Sequence, residues 1–469
     1  MLGEDLEIYE GDRLFNIFTL LEWPVGTNVG GSRKEYETTS YQTIAAKDIS
    51  RIQSPQEEAS FSETCGTLYG KLGDSFTSVG VSKNGKVWTT RKGSINNWVE
   101  FVETTCRRVF DKRLKETFIL RNSIKSIVQT SFPKDTQPFT VELDSSLYSK
   151  DQIIIKSSKH GNFSSFDAEL QLCQQTNRFK LQLSGKEAGE FEIQLGGTEK
   201  SPTFKIIADL PKGEKLTFVS KGGKHPMDAT QFFKAYPPNF LFPDGSLLRK
   251  NQFVKYNQET PSYPIQDLQV LDWSGCDISN ESQWKEGVFR TDSIQYHFIE
   301  NIKKGSFELI FDDDNAGEIA DVVAIERRKN KEIHIYFYHL KYSTNGAITS
   351  GNLGQFNEVC SQALRSRRWT SKFTRALFLR MLKRAGSVNK SNPASNRSRF
   401  ILGNEKLLSE IAEATNKYPV YFHIGIVQPG LSKEKAMTNG QNNVFNLLGS
   451  VSEIIRNCTG SKLEVFCSA

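Results

Sequence analysis

The sequence predicts a multidomain protein of the α+β class. The chain has 469 residues, about three times the size of one ordinary domain, so several domains are expected. Short alternating apolar runs separated by Gly, Ser and Asn fill residues 136–245, and the pattern after them is helix, three strands, helix. We therefore predict an α+β domain at 1–135, a small antiparallel β domain at 136–245 and a second α+β domain at 246–469.

The composition is that of a water-soluble globular protein, with 37% hydrophobic and 24% charged residues and a formal net charge of +6. No apolar run approaches the roughly 18 residues that a membrane-spanning helix needs. The first residues are acidic where a secretory signal would be basic. The seven cysteines are scattered without a Cys-x-x-Cys pair, which favours reduced thiols. We expect a cytoplasmic protein without a membrane partner.

In the first predicted domain, apolar residues recur at helical spacing between Trp98 and Phe110. A strand pattern precedes this helix and alternates on both sides of Asn84 and Gly85. An Asn-Gly pair between alternating runs is typical of a tight β-hairpin. The first domain should therefore contain a hairpin followed by a helix.

In the second predicted domain, the clearest strand patterns lie at 179–183, 191–195 and 204–207. Their strict alternation indicates an antiparallel sheet with one buried face. The stretch 236–246 is rich in Pro and Gly, which predicts a linker to the third domain.

The third predicted domain opens with a helix and three strands. Apolar periodicity predicts this helix at 292–303, with the strands at 306–312, 318–326 and 333–342. The elements predicted after them are helices at 354–368 and 371–385, a helix at 404–417, a strand at 420–427, a helix at 442–457 and a strand at 462–466.

The third domain also carries the densest group of chemically active side chains. Alternation along 333–341 places His339 and Lys341 on the same face as the apolar residues before them. Asp321 begins the preceding apolar run, so a hairpin would bring a carboxylate, an imidazole and an ammonium group together. Carboxylates bind Mg²⁺ or Mn²⁺, and a lysine beside such an ion suits metal-assisted phosphodiester hydrolysis.

At these residues the sequence resembles the PD-(D/E)XK nuclease superfamily, which has a restriction-endonuclease-like αβββαβ core. It is most similar to the C-terminal nuclease region of large DEAD/DEAH-box helicase-nuclease proteins of bacterial antiphage defence. The matching motifs are 317–321, 339–343 and 358–363 with Trp369. Further landmarks of the same region match at 82–88, 93–98, 237–240, 244–246 and 428–432.

The resemblance implies a Mg²⁺-dependent deoxyribonuclease, with Mn²⁺ as the alternative ion. By this resemblance Asp321 is a metal-binding carboxylate, Lys341 is the catalytic lysine and Gln362 is an auxiliary residue of the following helix. The superfamily usually has an acidic residue two positions before the lysine, where this chain has a histidine. Either His339 is itself a ligand or another carboxylate compensates, with Glu318 and Glu300 as the candidates.

The partner implied by the resemblance is DNA, with RNA as a second possibility, and a homo-oligomer is compatible with it. The chain has no Gly-x-x-x-x-Gly-Lys-Ser/Thr phosphate loop, so a helicase or ATPase would be a separate subunit. Two alternatives stay open: a catalytically silent nucleic-acid-binding or scaffolding subunit, and an interaction protein whose first domains recognise a phage product. A phospholipase-D-type histidine nucleophile is disfavoured because Gly346 occupies the position of the required Asp.

A basic stretch follows the proposed metal site. Residues 359–404 contain eleven Lys and Arg and no Asp or Glu, which predicts a basic helical insertion in contact with a phosphate backbone. An αβ extension completes the domain after it. The residues expected to bind nucleic acid are Arg365, Arg367, Arg368, Lys372 and Arg375.

Overall fold

The chain divides into two compact units, Met1–Ser126 with Val254–Gln258 and Ile127–Phe253 with Glu259–Ala469. The computed structural model describes residues 17, 22–35, 38–46, 62–72, 75–82, 86–111, 126–134, 136–148, 153–174, 176–199, 201–220, 226–254, 262–315, 317–343, 354–370, 374–391, 397–439 and 442–469. Among these residues, every helix is too short or too polar to cross a bilayer.

The first unit contains a five-stranded antiparallel sheet followed by one long helix. The strands are β1 (Glu22–Glu35), β2 (Thr38–Ala46), β3 (Ser62–Leu72), β4 (Ser75–Ser82) and β5 (Lys86–Thr89), in the order β2-β1-β3-β4-β5. The helix is α1 (Ile95–Phe110), and it begins with a capping box in which Ser94 and Asn97 bond each other's backbone. The predicted helix is confirmed. Ser82 pairs with Lys86, as the predicted hairpin requires, while residues 83–85 lie outside the described residues.

The second unit begins with a β-rich region, residues 127–253, built from three sheets around a phenylalanine-rich core. The core includes Phe179, Phe191 and Phe218, all almost fully buried. Its elements are β6 (Ser126–Val128), β7 (Thr140–Glu142), β8 (Ile153–Ser157), β9 (Gly161–Ser164), β10 (Ala168–Leu172), β11 (Arg178–Leu183), β12 (Lys186–Thr198), β13 (Ser201–Asp209), β14 (Leu216–Ser220), β15 (Met227–Asp228), α2 (Ala229–Ala235), β16 (Asn239–Leu241), β17 (Leu247–Arg249) and β18 (Gln252–Val254). The predicted strands in this region are confirmed.

The prediction of a linker at 236–246 is wrong. Strand β16 pairs with both β17 and β7, so this stretch is part of a sheet. Phe240 and Phe242 are buried in the core of the β-rich region. Pro237 and Pro238 precede β16 and Pro243 follows it, so none of them interrupts its hydrogen bonds, and burial of two aromatic rings stabilises this stretch.

The rest of the second unit is an α/β region, residues 259–469, around a seven-stranded mixed sheet. The sheet order is β19-β27-β26-β24-β23-β22-β25. The strands are β19 (Leu268–Val270), β20 (Trp284–Lys285), β21 (Val288–Phe289), β22 (Leu309–Asp312), β23 (Val322–Arg327), β24 (Ile333–Leu340), β25 (Phe400–Leu402), β26 (Val420–Ser432) and β27 (Glu464–Ser468). The helices are α3 (Ile294–Ile302), α4 (Gly354–Arg365), α5 (Thr374–Ser391), α6 (Glu405–Ala414), α7 (Lys433–Asn439) and α8 (Asn442–Thr459).

Strand β24 lies at the centre of this sheet, and all eight of its residues are buried. Helices α4 and α8 cover one face, and α3 covers the other. The predicted order of helix, three-strand meander, helix and parallel strand is observed in α3, β22 to β24, α4 and β26. The stretch 359–404 differs from the expected helical insertion, because it also contains edge strand β25, which pairs with β22.

Candidate metal centre

Three potential metal ligands meet where β23 begins and β24 ends: Glu318, Asp321 and His339. One ligand atom from each lies within 4.8 Å of the others. The antiparallel pairing of Val322 with Tyr338 places Asp321 beside His339, on the face that α4 covers. The expected hairpin therefore brings the predicted aspartate and histidine together.

The loop that carries Glu318 is held by buried ion pairs. The carboxylate of Asp313 accepts a hydrogen bond from the backbone N–H of Ile319 (2.7 Å) and pairs with Arg384. Arg380 donates a hydrogen bond to the carbonyl oxygen of Gly317 (2.6 Å). The φ of Gly317 is +78°, a conformation that favours glycine. Both arginines come from α5, so this helix fixes the loop at the site.

The hydrogen bonds of His339 define its tautomer. The single hydroxyl proton of Ser366 is donated to the carbonyl oxygen of Ile319 (2.9 Å). The Nε2–H of His339 therefore donates to Ser366 Oγ (2.6 Å), which leaves the lone pair on Nδ1. Within the described part of the chain, this buried Nδ1 has no hydrogen-bond partner, and it lies 3.6 Å from Asp321 Oδ2.

Burial strongly perturbs these three groups. Burial and the carboxylates of Glu318 and Asp314 raise the pKa of Asp321 well above its ordinary value. The pKa of Glu318 rises to about 8 through burial and its acidic neighbours. Burial and Arg365 lower the pKa of His339 to about 3, so its imidazole is neutral at physiological pH. A buried neutral imidazole beside crowded carboxylates suits a bound cation, which would relieve the repulsion between them.

Lys341 lies at the same strand end, between two carboxylates. Its Nζ is 3.3 Å from Glu281 and 3.0 Å from Glu358. Burial alone would lower the pKa of Lys341, but the two carboxylates outweigh it and raise the pKa. Lys341 is therefore an ammonium ion. Its two partners had no role in the sequence prediction, because Glu281 lies in a loop without periodicity and Glu358 lay in a motif that pointed only to Gln362.

Gln362 contacts the cluster, whereas Glu300 lies outside it. Gln362 Nε2 donates to Glu318 Oε1 (3.3 Å), and its buried Oε1 has no partner among the described residues. Glu300 instead pairs with Lys303 on α3, with both side chains well exposed. Glu300 therefore lies outside the cluster of Glu318, Asp321 and His339, because its carboxylate faces solvent.

Three of the arginines predicted to contact nucleic acid form ion pairs within the protein. Arg365 and Arg368 pair with Glu169 (3.0 and 2.7 Å), and Arg367 pairs with Glu142 (2.5 Å). Both glutamates belong to the β-rich region. The expected contact of these three arginines with a phosphate backbone is therefore corrected, because carboxylates of the β-rich region neutralise their charge. Arg375 is exposed, and Lys372 lies outside the described residues.

Further arginines of the acid-free stretch pair with the loop that enters the site. Arg397 donates to the fully buried carboxylate of Asp312 (3.0 Å), and Arg399 donates to the Asp312 carbonyl oxygen (2.8 Å). These contacts complement the Arg384 pair described above. Most arginines of the acid-free stretch thus form ion pairs within the protein.

No family model, curated protein or solved structure matches the chain. We therefore infer the chemistry of the site from its geometry. The Nδ1 of His339, which has no partner among the described residues, and the carboxylates of Glu318 and Asp321 form a set of donors that fits a divalent cation.

Proposed function

We propose that this protein is a metal-dependent nuclease of the PD-(D/E)XK type that hydrolyses phosphodiester bonds, with DNA as its expected substrate. The observation that carries the proposal is the buried, unpartnered Nδ1 of His339, 3.6 Å from Asp321 Oδ2. Two acceptors at this distance repel each other unless a cation or a proton lies between them. Glu318 completes the set, and Lys341 lies beside it.

The spacing of the donors supports Mg²⁺ or Mn²⁺. Ligand atoms about 2.1 Å from one ion lie about 3–4 Å apart, and the distance between His339 Nδ1 and Asp321 Oδ2 falls in that range. Asp321, Glu318 and His339 would hold the ion, which when bound stabilises negative charge on the phosphate and lowers the pKa of its water. The imidazole favours Mn²⁺ more than an all-carboxylate site would.

Lys341 has a separate role in the proposed reaction. Because Glu281 and Glu358 keep it protonated, it cannot act as a general base. It can donate hydrogen bonds to a phosphate oxygen or to the attacking water, and its positive charge would stabilise the charge of the transition state. Glu281 also accepts the backbone N–H of Tyr342 (3.1 Å), which fixes the carboxylate that positions the lysine.

A helicase or ATPase partner and a role in antiphage defence form the wider part of this proposal. They depend on the sequence resemblance at 317–321, 339–343 and 358–363. In the structure, residues of these three motifs meet at one site.

Cleavage assays with matched variants test the nuclease proposal. Plasmid, linear and single-stranded DNA and RNA are incubated with Mg²⁺ or Mn²⁺, and with EDTA as a blank. We expect Asp321→Asn and Lys341→Met to lower the cleavage rate by about 100-fold or more. Glu300→Gln, a carboxylate outside the cluster, should keep wild-type activity. Metal-dependent cleavage that survives both site substitutions would contradict the assignment of the site.

The same assay distinguishes the alternative of a catalytically silent subunit. His339 stands where the resembled superfamily has an acidic residue, which is the observation that favours this alternative. Absence of cleavage on all substrates, also with a neighbouring ATPase added, would support it over the nuclease proposal.

A further inference from the structure

In the described parts of β3, β4 and β5, the sheet of the first unit has one buried face and one open face that carries exposed side chains. Leu68, Val79 and Val81 are fully buried on one side. Side chains alternate along a strand, so the residues between them point to the other side. There Tyr69 is 45% exposed and Trp88 is 37% exposed. Two large aromatic rings thus lie on the open face of the sheet.

The ring of Trp88 covers the neighbouring strand. Trp88 pairs across β4 and β5 with Gly80, and a Cβ at Gly80 would overlap the indole. Gly80 in turn pairs with Thr67 on β3. Because Gly80 has no side chain, the indole of Trp88 lies flat against the backbone of β4. Thr67 and Ser78, which lie near Gly80 on the same face, are small and polar.

Within the strand segments whose side chains are described, the charged residues of the open face are lysines. Lys71 and Lys86 have the same strand parity as Tyr69 and Trp88, which places them on the open face. In the strand segments whose side chains are described (66–72, 77–82 and 86–89), there is no Asp or Glu.

We propose that this open face binds single-stranded nucleic acid. Unpaired bases would stack on Trp88, while Lys71 and Lys86 would contact phosphates. A duplex keeps its bases stacked inside and could not use the aromatic rings. A protein-docking face would be more continuously apolar than one that also carries Thr67, Ser78 and Gly80. The proposal is independent of the metal centre.

The test is binding by the full chain in EDTA, which prevents metal-dependent cleavage. Fluorescence anisotropy with a labelled oligo-dT, and the same measurement with a duplex, give the two affinities. We expect tighter binding of the single strand, and a loss of about 10-fold in Trp88→Ala, because stacking on one ring contributes that much. Trp88→Phe should recover most of the loss because it keeps an aromatic ring.

Trp98→Ala is the matched control. Trp98 is 60% exposed, but it lies on α1 and lines a cleft with Leu72 and Thr89, which belong to the buried side of the sheet. Its substitution should leave the affinity within about twofold. The double variant Lys71→Gln/Lys86→Gln should make the slope of log affinity against log salt shallower by about 1.4, the value for two phosphate contacts on a single strand.

Several results would overturn this inference. Absence of single-strand binding, equal affinity for duplex, or equal losses in the Trp88→Ala and Trp98→Ala variants would each do so. Circular dichroism confirms that each variant is folded. Because binding is measured without metal, loss of the proposed nuclease activity and loss of this surface give different results.

Discussion

At the scale of single residues, Ser366 determines what His339 can bind. Its hydroxyl donates to the Ile319 carbonyl oxygen and accepts the Nε2–H of His339, so it orients the ring and leaves Nδ1 as an acceptor. Ser366 directly follows α4, where the sequence showed only a polar residue between basic ones. Partners of this kind commonly control the affinity of a metal ligand.

We expect Ser366→Ala to weaken Mn²⁺ binding by about 10-fold to 100-fold, because the ring loses its orienting partner. Isothermal titration calorimetry of the apoprotein measures this change without any substrate. Ser361→Ala is the matched control, since Ser361 lies on α4 but bonds to Thr140 of the β-rich region. An unchanged affinity in Ser366→Ala would show that the serine does not position the ligand.

Glu464 is a second residue whose environment has a measurable consequence. Burial raises its pKa from 4.5 to about 7, despite a hydrogen bond from Tyr338. The folded state therefore binds more protons than the unfolded state between pH 4.5 and 7. The free energy of unfolding contributed by this group falls as the pH rises through that range and is constant above it.

We expect Glu464→Gln to remove this dependence, since glutamine does not ionise but still accepts the Tyr338 hydroxyl. The free energy of unfolding of the variant minus that of wild type should be larger at pH 8 than at pH 5, by up to about 3 kcal/mol. Urea unfolding at the two pH values measures the difference. Glu300→Gln, at an exposed site, controls for the loss of one carboxylate. A pH dependence identical to that of wild type would contradict the prediction.

At the scale of elements, α4 and the turn after it join the two regions of the second unit. Arg365 and Arg368 pair with Glu169 on β10, Arg367 pairs with Glu142 on β7, and Trp369 packs on Phe166 with ring centroids 4.8 Å apart. The turn that holds His339 is thus anchored to the β-rich region. Because Arg368 is almost fully buried, the carboxylate of Glu169 is needed to compensate its positive charge.

We expect Glu169→Gln to lower the free energy of unfolding by about 3 kcal/mol, because it leaves a buried guanidinium without its ion-pair partner. The matched control is Glu190→Gln on β12, whose partner Arg178 is 38% exposed; that loss should stay below about 1 kcal/mol. Chemical denaturation of both variants gives the comparison. Equal losses would show that the Glu169 pairs contribute no more than a surface pair.

At the scale of the whole molecule, the chain consists of two compact units, and the second has complete cores of its own. The candidate metal centre belongs entirely to that second unit. The aromatic sheet face belongs to the first. The proposed cleavage and the proposed single-strand binding are therefore separable in the chain.

A chain of residues 126–469 tests this separation. We expect it to unfold in one cooperative transition and to bind Mn²⁺ as the full chain does, because all residues of the metal centre and their partners are retained. It should lose the tighter binding of oligo-dT. Thermal unfolding by circular dichroism, calorimetry and anisotropy measure the three properties. An unfolded product would show that the second unit depends on the first.

The local pattern of the sequence was enough to predict the order of elements around the site. The apolar runs of β23 and β24 and the helical period of α4 are strong because these elements are buried in the middle of the sheet. Strict alternation also placed His339 and Lys341 on one face. The weak patterns, such as β16 and β25, depend on partners far along the chain and were missed.

By itself, the sequence determined the α+β class, the succession of the buried strands and helices around the site and the approach of Asp321 to His339, since these depend on short-range periodicity. Only the tertiary structure decided that Ser366 orients His339, that Glu281 and Glu358 hold Lys341, and that Glu300 faces solvent. It also showed that most arginines of the basic stretch pair with carboxylates of the protein itself. Charge can be counted along a chain, but whether it meets a phosphate or a buried carboxylate depends on packing between residues that are hundreds of positions apart.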